Sequence, residues 1–179
     1  MRVALVRHVP SSIAPGICYG RLDIGVDPAR AGEIATLAAD PLLRGAVCVW
    51  TSPARRCLVV AEAIAAELGT DLAVDARLWE LDFGQWEGLA WDAVDRAALD
   101  CWAADPMGFA PPGGESGAAL VVRVGAFHAA LRRDGRDCVV VAHGGSLKVL
   151  TALLRDRPVD LLAAAQPMGS VVIIDAVSA

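Results

Sequence analysis

Two short apolar runs in this chain, RVALV at residues 2–6 and CVVVA at 138–142, break off directly into strongly polar residues: Arg7-His8 after the first, His143 after the second. Neither run alternates apolar with polar positions, so each reads as a strand buried on both faces, the pattern of a parallel sheet. Ending such a strand on arginine or histidine puts a hydrogen-bonding group at the lip of a core, which is costly unless something there requires it. A third run, AVCVW at 46–50, ends in Thr51-Ser52 with Arg55-Arg56 just beyond.

Helical signals separate these strands. Asp27 reads as an N-cap with Pro28 at the first position of a helix over DPARAGEIATLAAD, and Ser52-Pro53 reads as the start of another reaching Leu68. Further helices are expected near 89–103, 116–133 and 146–156, with strands at 72–78 and in SVVIIDAV near the C-terminus. The Pro- and Gly-rich DPMGFAPPGGES reads as a loop. Strands alternating with helices imply an α/β protein, a three-layer α/β/α sandwich with a mostly parallel sheet. One domain over 1–179 is expected, with residues about 79–115 as a small, cap-like helical excursion.

Composition narrows the function classes. The chain is 55% hydrophobic with a net charge of −5, and its acids and bases are well mixed, so no basic stripe suggests nucleic acid. No stretch approaches a membrane span, and the N-terminal apolar run is too short for a signal peptide, so the expected location is the cytoplasm. The five cysteines are scattered with no CxxC, which favours small core residues over a disulfide framework or zinc ribbon. With only three histidines and no paired spacing, no metal site is expected.

In an open parallel sheet, ligands bind beyond the carboxyl ends of the strands. If the three strands lie side by side, Arg7, His8, Ser52, Arg56 and His143 converge there. Arg55-Arg56 fall in the first turn of a helix, where the macrodipole disfavours cations by about 0.3–1 kcal/mol when exposed. The same helix end, with an added guanidinium, suits a phosphate. Gly144-Gly145 would present backbone N–H groups at the next helix start. The implied partner is a small phosphorylated metabolite. No Cys is followed six residues later by Arg, no DxD stands at a strand end and no GxxxxGK occurs. A histidine is the nucleophile that remains, and His8 has an arginine beside it. A carboxylic acid must then protonate the leaving group.

The blocks VRH, SPARRC, LWELDFGQWEG, PPGGES and VVAHGGS, in that order over residues 6–146, resemble the histidine phosphatase superfamily (phosphoglycerate mutase-like). The resemblance implies a phosphohistidine intermediate, no cofactor, His8 as nucleophile, and Arg7 and Arg56 on the phosphoryl group. It also implies Glu80 as the acid, His143 as the second active-site histidine, and Ser11 and Gly144 as further phosphate contacts. Two positions depart from the family pattern: Val9 stands where glycine is usual and Ala14 where asparagine is common. GICYGRLDIGVDP resembles a segment of α-ribazole phosphatases of cobalamin biosynthesis, which implies α-ribazole 5′-phosphate as substrate, with Gly20 and Arg21 flanking it.

Other readings stay open from sequence: phosphoglycerate mutase-type transfer, a phosphoester-binding module without turnover, and a serine hydrolase at Ser116, the last with an incomplete GxSxG. Monomer and homodimer are both compatible with the chain. Cys57 reads as buried and inert, and Trp91 and Trp102 as packing residues.

Overall fold

A computed structural model describes residues 1–176. Five strands form one sheet in the order β3-β2-β4-β1-β5: β1 is Arg2–Arg7, β2 Cys48–Thr51, β3 Asp71–Val74, β4 Cys138–Ala142 and β5 Val171–Asp175. The pairs β2–β3, β2–β4 and β1–β4 are parallel, and β5 runs antiparallel to β1 at one edge. The helices are α1 (Ala31–Ala38), α2 (Arg55–Leu68), α3 (Arg96–Ala104), α4 (Gly117–Asp134) and α5 (Gly144–Leu154).

The absence of polar alternation in β1 and β4 follows from burial on both faces. Val3, Leu5 and Val140 belong to a core with Leu120, Val124 and Phe127 of α4 and Leu147 and Leu150 of α5. Ala4, Val6, Val139 and Val141 point the other way, into a core with Ile34 and Leu37 of α1 and Val60 and Ile64 of α2. The result is the three-layer α/β/α sandwich expected from the sequence. Burying a side chain of this size contributes about 1.5–3 kcal/mol.

Several boundaries differ from the sequence reading, each for a local reason. Asp27 caps only a 3-10 turn, Pro28–Arg30, and α1 proper begins at Ala31. The N-cap of α2 is Ala54 rather than Ser52, because the Ser52 hydroxyl is shared with a histidine described below. The third strand stops at Val74 because the Asp75 carboxylate accepts the Arg77 amide at 2.9 Å and starts a 3-10 turn over Ala76–Leu78. In place of one helix over 89–103 there are a 3-10 turn, Trp91–Ala93, and α3, which Asp95 caps by accepting the Ala98 amide at 2.8 Å. Of SVVIIDAV, Val171–Asp175 is strand, and Val177 lies outside the described residues.

Around the stretch 79–115, a small apolar cluster forms from buried Cys18, Trp86 and Val94, packed with Phe83, Trp91 and Trp102. No helix among the described residues is long and apolar enough to cross a membrane.

Candidate active site

The registers of β1, β2 and β4 set their polar ends level. Val6 and Thr51 both pair with Val141 on the central strand β4, one from each side. The chains leave the sheet together: the His8 amide donates to the Ala142 carbonyl at 3.3 Å, and the Ser52 amide to the Val141 carbonyl at 3.1 Å. His8, Ser52 and His143 are therefore gathered by backbone topology at one sheet edge, all at most 2% exposed. The rings of His8 and His143 meet edge to face with centroids 5.2 Å apart.

His8 and His143 line a cavity of about 170 Å³ together with Arg7, Arg56 and Glu80 and with Ile17, Tyr19, Trp91 and Met168. The Nδ1 of His8 lies 2.7 Å from the Val9 carbonyl. A carbonyl only accepts, so Nδ1 carries the proton and Nε2 keeps its lone pair. Burial pushes the His8 pKa down to about 3, with the Arg56 and Arg7 charges acting the same way and the Val9 carbonyl opposing them. The ring is neutral at any ordinary pH, the form in which an imidazole nitrogen can act as a nucleophile. Val9 is not among the residues of positive φ, and the carbonyl that meets the ring is a backbone group independent of its side chain.

His143 rests on the Ser52 hydroxyl, 2.8 Å from Nε2, and its ring lies parallel to that of Trp79. Burial, followed by Arg56, His8, Arg123 and Arg7, drives its pKa well below the usual value, so it is neutral in the unliganded site. A dianion bound beside it would favour its charged form. The Cys57 thiol lies within 3.7 Å of this ring, so an imidazole stands beside it. Complete burial nonetheless drives its pKa up and leaves it unreactive.

The two neighbouring arginines of α2 divide. Arg55 is exposed and pairs with Asp23 at 3.3 Å, and the same carboxylate accepts the Arg55 amide at 2.8 Å. Asp23 thus supplies the acid that the start of α2 itself lacks. Arg56 is fully buried: its guanidinium donates to the carbonyls of Gly20 at 2.6 Å and Leu22 at 3.0 Å and lies over the Tyr19 ring. Arg7 donates Nη1 to the Gln166 carbonyl at 2.6 Å. In both arginines the Nε–H is buried without an acceptor among the described residues. An unsatisfied buried guanidinium N–H is costly unless a ligand supplies the acceptor.

Glu80 reaches the cavity from the loop after β3. Its carboxylate accepts the amides of Gly145, at 3.0 Å, and Leu81, at 2.9 Å. The Gly145 N–H at the start of α5 is therefore engaged by the acid. Arg123 of α4 holds the chain on both sides of Glu80, donating to the carbonyls of Arg77 (2.8 Å), Trp79 (2.6 Å) and Glu80 (2.9 Å) and to the Glu115 carboxylate.

Four expected site residues stand off the cavity wall. The Ser11 hydroxyl is buried without a partner among the described residues, and Ser11 bridges to Val26. Gly144 backs the Arg7 guanidinium: a Cβ there would sit 3.3 Å from its Cζ. The Gly20 carbonyl anchors Arg56, while Arg21 donates Nε to the Glu80 carbonyl at 3.2 Å and lies over Trp79.

Sequence reasoning missed Arg123, Ile17, Tyr19 and Met168, and it took Trp91 for packing alone. A signal for Arg123 was present: it stands three residues after Leu120 and four before Phe127, on the buried stripe of α4. The apolar wall left no such signal, because it forms only when residues 16–19 meet 88–91.

The family model of the histidine phosphatase superfamily (branch 1) matches residues 3–177. A putative phosphoserine phosphatase 2 of Hydrogenobacter thermophilus is 34% identical over 158 residues, which span 86% of this chain and 78% of that one. A glucosyl-3-phosphoglycerate phosphatase of Mycolicibacterium vanbaalenii is 32% identical over 173 residues, 89% of this chain and 76% of that one. Among solved structures, a mycobacterial glucosyl-3-phosphoglycerate phosphatase superposes with TM-score 0.84 at 26% identity, covering 96% of this chain and 88% of that one. The Shigella flexneri α-ribazole phosphatase shares the fold, with TM-score 0.87 at 23% identity, covering 98% and 90% of the two chains.

Proposed function

Because this chain belongs to the histidine phosphatase superfamily (branch 1), and is thereby a phosphoric monoester hydrolase, we propose that it works through a phosphohistidine formed on His8, without a metal. In this reading Nε2 of His8 attacks phosphorus as the ester P–O bond breaks. Glu80, as the carboxylic acid, gives its proton to the departing alkoxide. Water then attacks the phosphohistidine, its proton passes to the Glu80 carboxylate, and phosphate leaves with His8 neutral again. Arg7, Arg56 and His143 neutralise the charge on the transferring oxygens.

The observation that carries this reading is the pair of buried, unpartnered Nε–H donors on Arg7 and Arg56, both residues of the cavity that also holds the His8 ring. Phosphate release from p-nitrophenyl phosphate, with and without chelator, tests it. Activity should survive chelation and vanish in His8→Ala, and acid-labile but base-stable label from a radiolabelled phosphoester should appear on wild type alone. Turnover retained in His8→Ala, or lost on chelation, would overturn it.

For the natural ester, the segment GICYGRLDIGVDP favours α-ribazole 5′-phosphate, with Gly20 and Arg21 beside the bound substrate through their hold on Arg56 and Glu80. The competing esters are those in the relatives' names, phosphoserine and glucosyl-3-phosphoglycerate. A screen of all three, with 3-phosphoglycerate added to detect mutase-type transfer, decides among them. The residues about 79–115 are proposed to act as the cap over this site within a single domain.

A further inference from the structure

From the walls of the cavity we infer that the leaving group of the substrate carries a planar aromatic or heteroaromatic unit and no carboxylate, the ring packed against Tyr19 and Trp91. The inference rests on the reading above that the phosphoryl group binds at His8.

The cavity contains two arginines, Arg7 and Arg56, and in the reading above both hold the phosphoryl group. Of the other lining residues, Ile17, Tyr19, Trp91 and Met168 carry no charge, burial keeps His8 and His143 neutral in the unliganded site, and Glu80 is the acid. A carboxylate on the leaving group would find no cation there. The neighbouring cations are engaged elsewhere. Arg21 donates to the Glu80 carbonyl and stands 3.7 Å from Glu115, Arg55 pairs with Asp23, and the Lys148 ammonium donates to the Leu161 carbonyl at 2.7 Å. Burying a carboxylate without a paired cation costs far more than one apolar contact returns.

The apolar wall is also built in advance. Residues 16–18 and 88–91 are zipped by three backbone bonds: the Trp91 amide to the Gly16 carbonyl at 2.9 Å, the Cys18 amide to the Leu89 carbonyl at 2.8 Å, and the Gly88 amide to the Cys18 carbonyl at 2.8 Å. Trp91 is braced edge to face by Phe83 with centroids 5.4 Å apart, and the Tyr19 ring is held by the Arg56 guanidinium 5.1 Å from its centroid. Both residues remain half-buried and line the cavity. Fixed rings of this kind bind a flat partner with little ordering cost.

The test compares two phosphonates by isothermal titration, 2-phenylethylphosphonate and 2-amino-4-phosphonobutanoate, which mimic benzyl phosphate and phosphoserine with a carbon in place of the ester oxygen. The phenylethyl ligand should bind at least about tenfold more tightly, and Trp91→Ala should weaken it more than the amino acid ligand. Turnover of benzyl phosphate and phosphoserine, both primary alkoxide esters, should show the same order in kcat/KM. Equal or reversed binding preference in the wild-type protein overturns the inference whatever turnover shows. Preferential phenylethyl binding with neither ester hydrolysed supports it and removes the phosphohistidine reading instead.

Discussion

The carboxylate of Glu80 accepts the Gly145 amide at 3.0 Å, and a Cβ built on Gly145 would stand 2.3 Å from the Glu80 Oε1. Only glycine at the start of α5 lets the acid reach the cavity beside His8 and His143.

Gly145→Ala should therefore displace the acid without touching the phosphate grip. An acid misplaced by about 1 Å costs on the order of 10²-fold in rate. The expected loss is in kcat for alkyl phosphates, with a smaller loss for p-nitrophenyl phosphate, whose leaving group needs no proton. Glu80→Gln should show the same split, with a loss of about 10²–10⁴-fold for alkyl esters. Steady-state kinetics on the two ester types measures both, and equal losses on both would refute the role.

The depressed histidines make stability pH-dependent. His8 has a folded pKa of about 3 against 6.5 for the ordinary group, so the unfolded chain binds the proton first as pH falls. The stabilisation is complete above the ordinary value and is lost as pH drops through that window toward the folded value. His143 acts in the same direction. In phosphate-free buffer, the Tm advantage of wild type over His8→Gln should shrink from about pH 7 to about pH 4. A constant difference would show that His8 charges as readily in the fold as outside it.

Arg123 is the hinge pin of the Glu80 loop. Arg123→Lys keeps the charge but lacks the fork that serves three carbonyls and the Glu115 carboxylate at once. Loss of these partly buried bonds should lower stability by about 2–3 kcal/mol in urea unfolding. Turnover of alkyl esters should fall more than affinity for inorganic phosphate, because Arg123 positions the acid and not the phosphoryl group. A fall in both to the same extent would mark a structural role only.

Gly20→Ala should loosen the other arginine. Its Cβ would come within 1.8 Å of the Leu81 carbonyl oxygen, which is backbone and cannot step aside. The Gly20 carbonyl that holds Arg56 must then move. Overpacking of this kind costs about 1–3 kcal/mol, seen in thermal unfolding, and the inhibition constant of phosphate should rise with it.

The strand ends were legible because burial on both faces leaves an unbroken apolar run, and a polar residue directly after it is conspicuous. Arg7, His8 and His143 were found that way, as was the sheet that brings them together, while Arg56 was singled out from its neighbour Arg55 only by the SPARRC block. Glu80 was not legible from residue physics: an acid in a loop is ordinary, and only the surrounding LWELDFGQWEG block singled it out. Boundaries slipped where an Asp or Ser side chain competed with the backbone, at Asp75, Asp95 and Ser52.

Local pattern thus determined the layered α/β architecture and the chemistry of the sheet edge, because apolar periodicity and strand endings act over a few residues. Tertiary structure alone decided which groups are spoken for. Arg55 and Arg56 are neighbours in the chain, yet one pairs with Asp23 in solvent while the other is buried with its Nε–H unmet. Arg123, Tyr19 and Trp91 join the site from segments far apart in sequence. Their roles depend on desolvation and on partners that exist only once the distant parts of the chain have met.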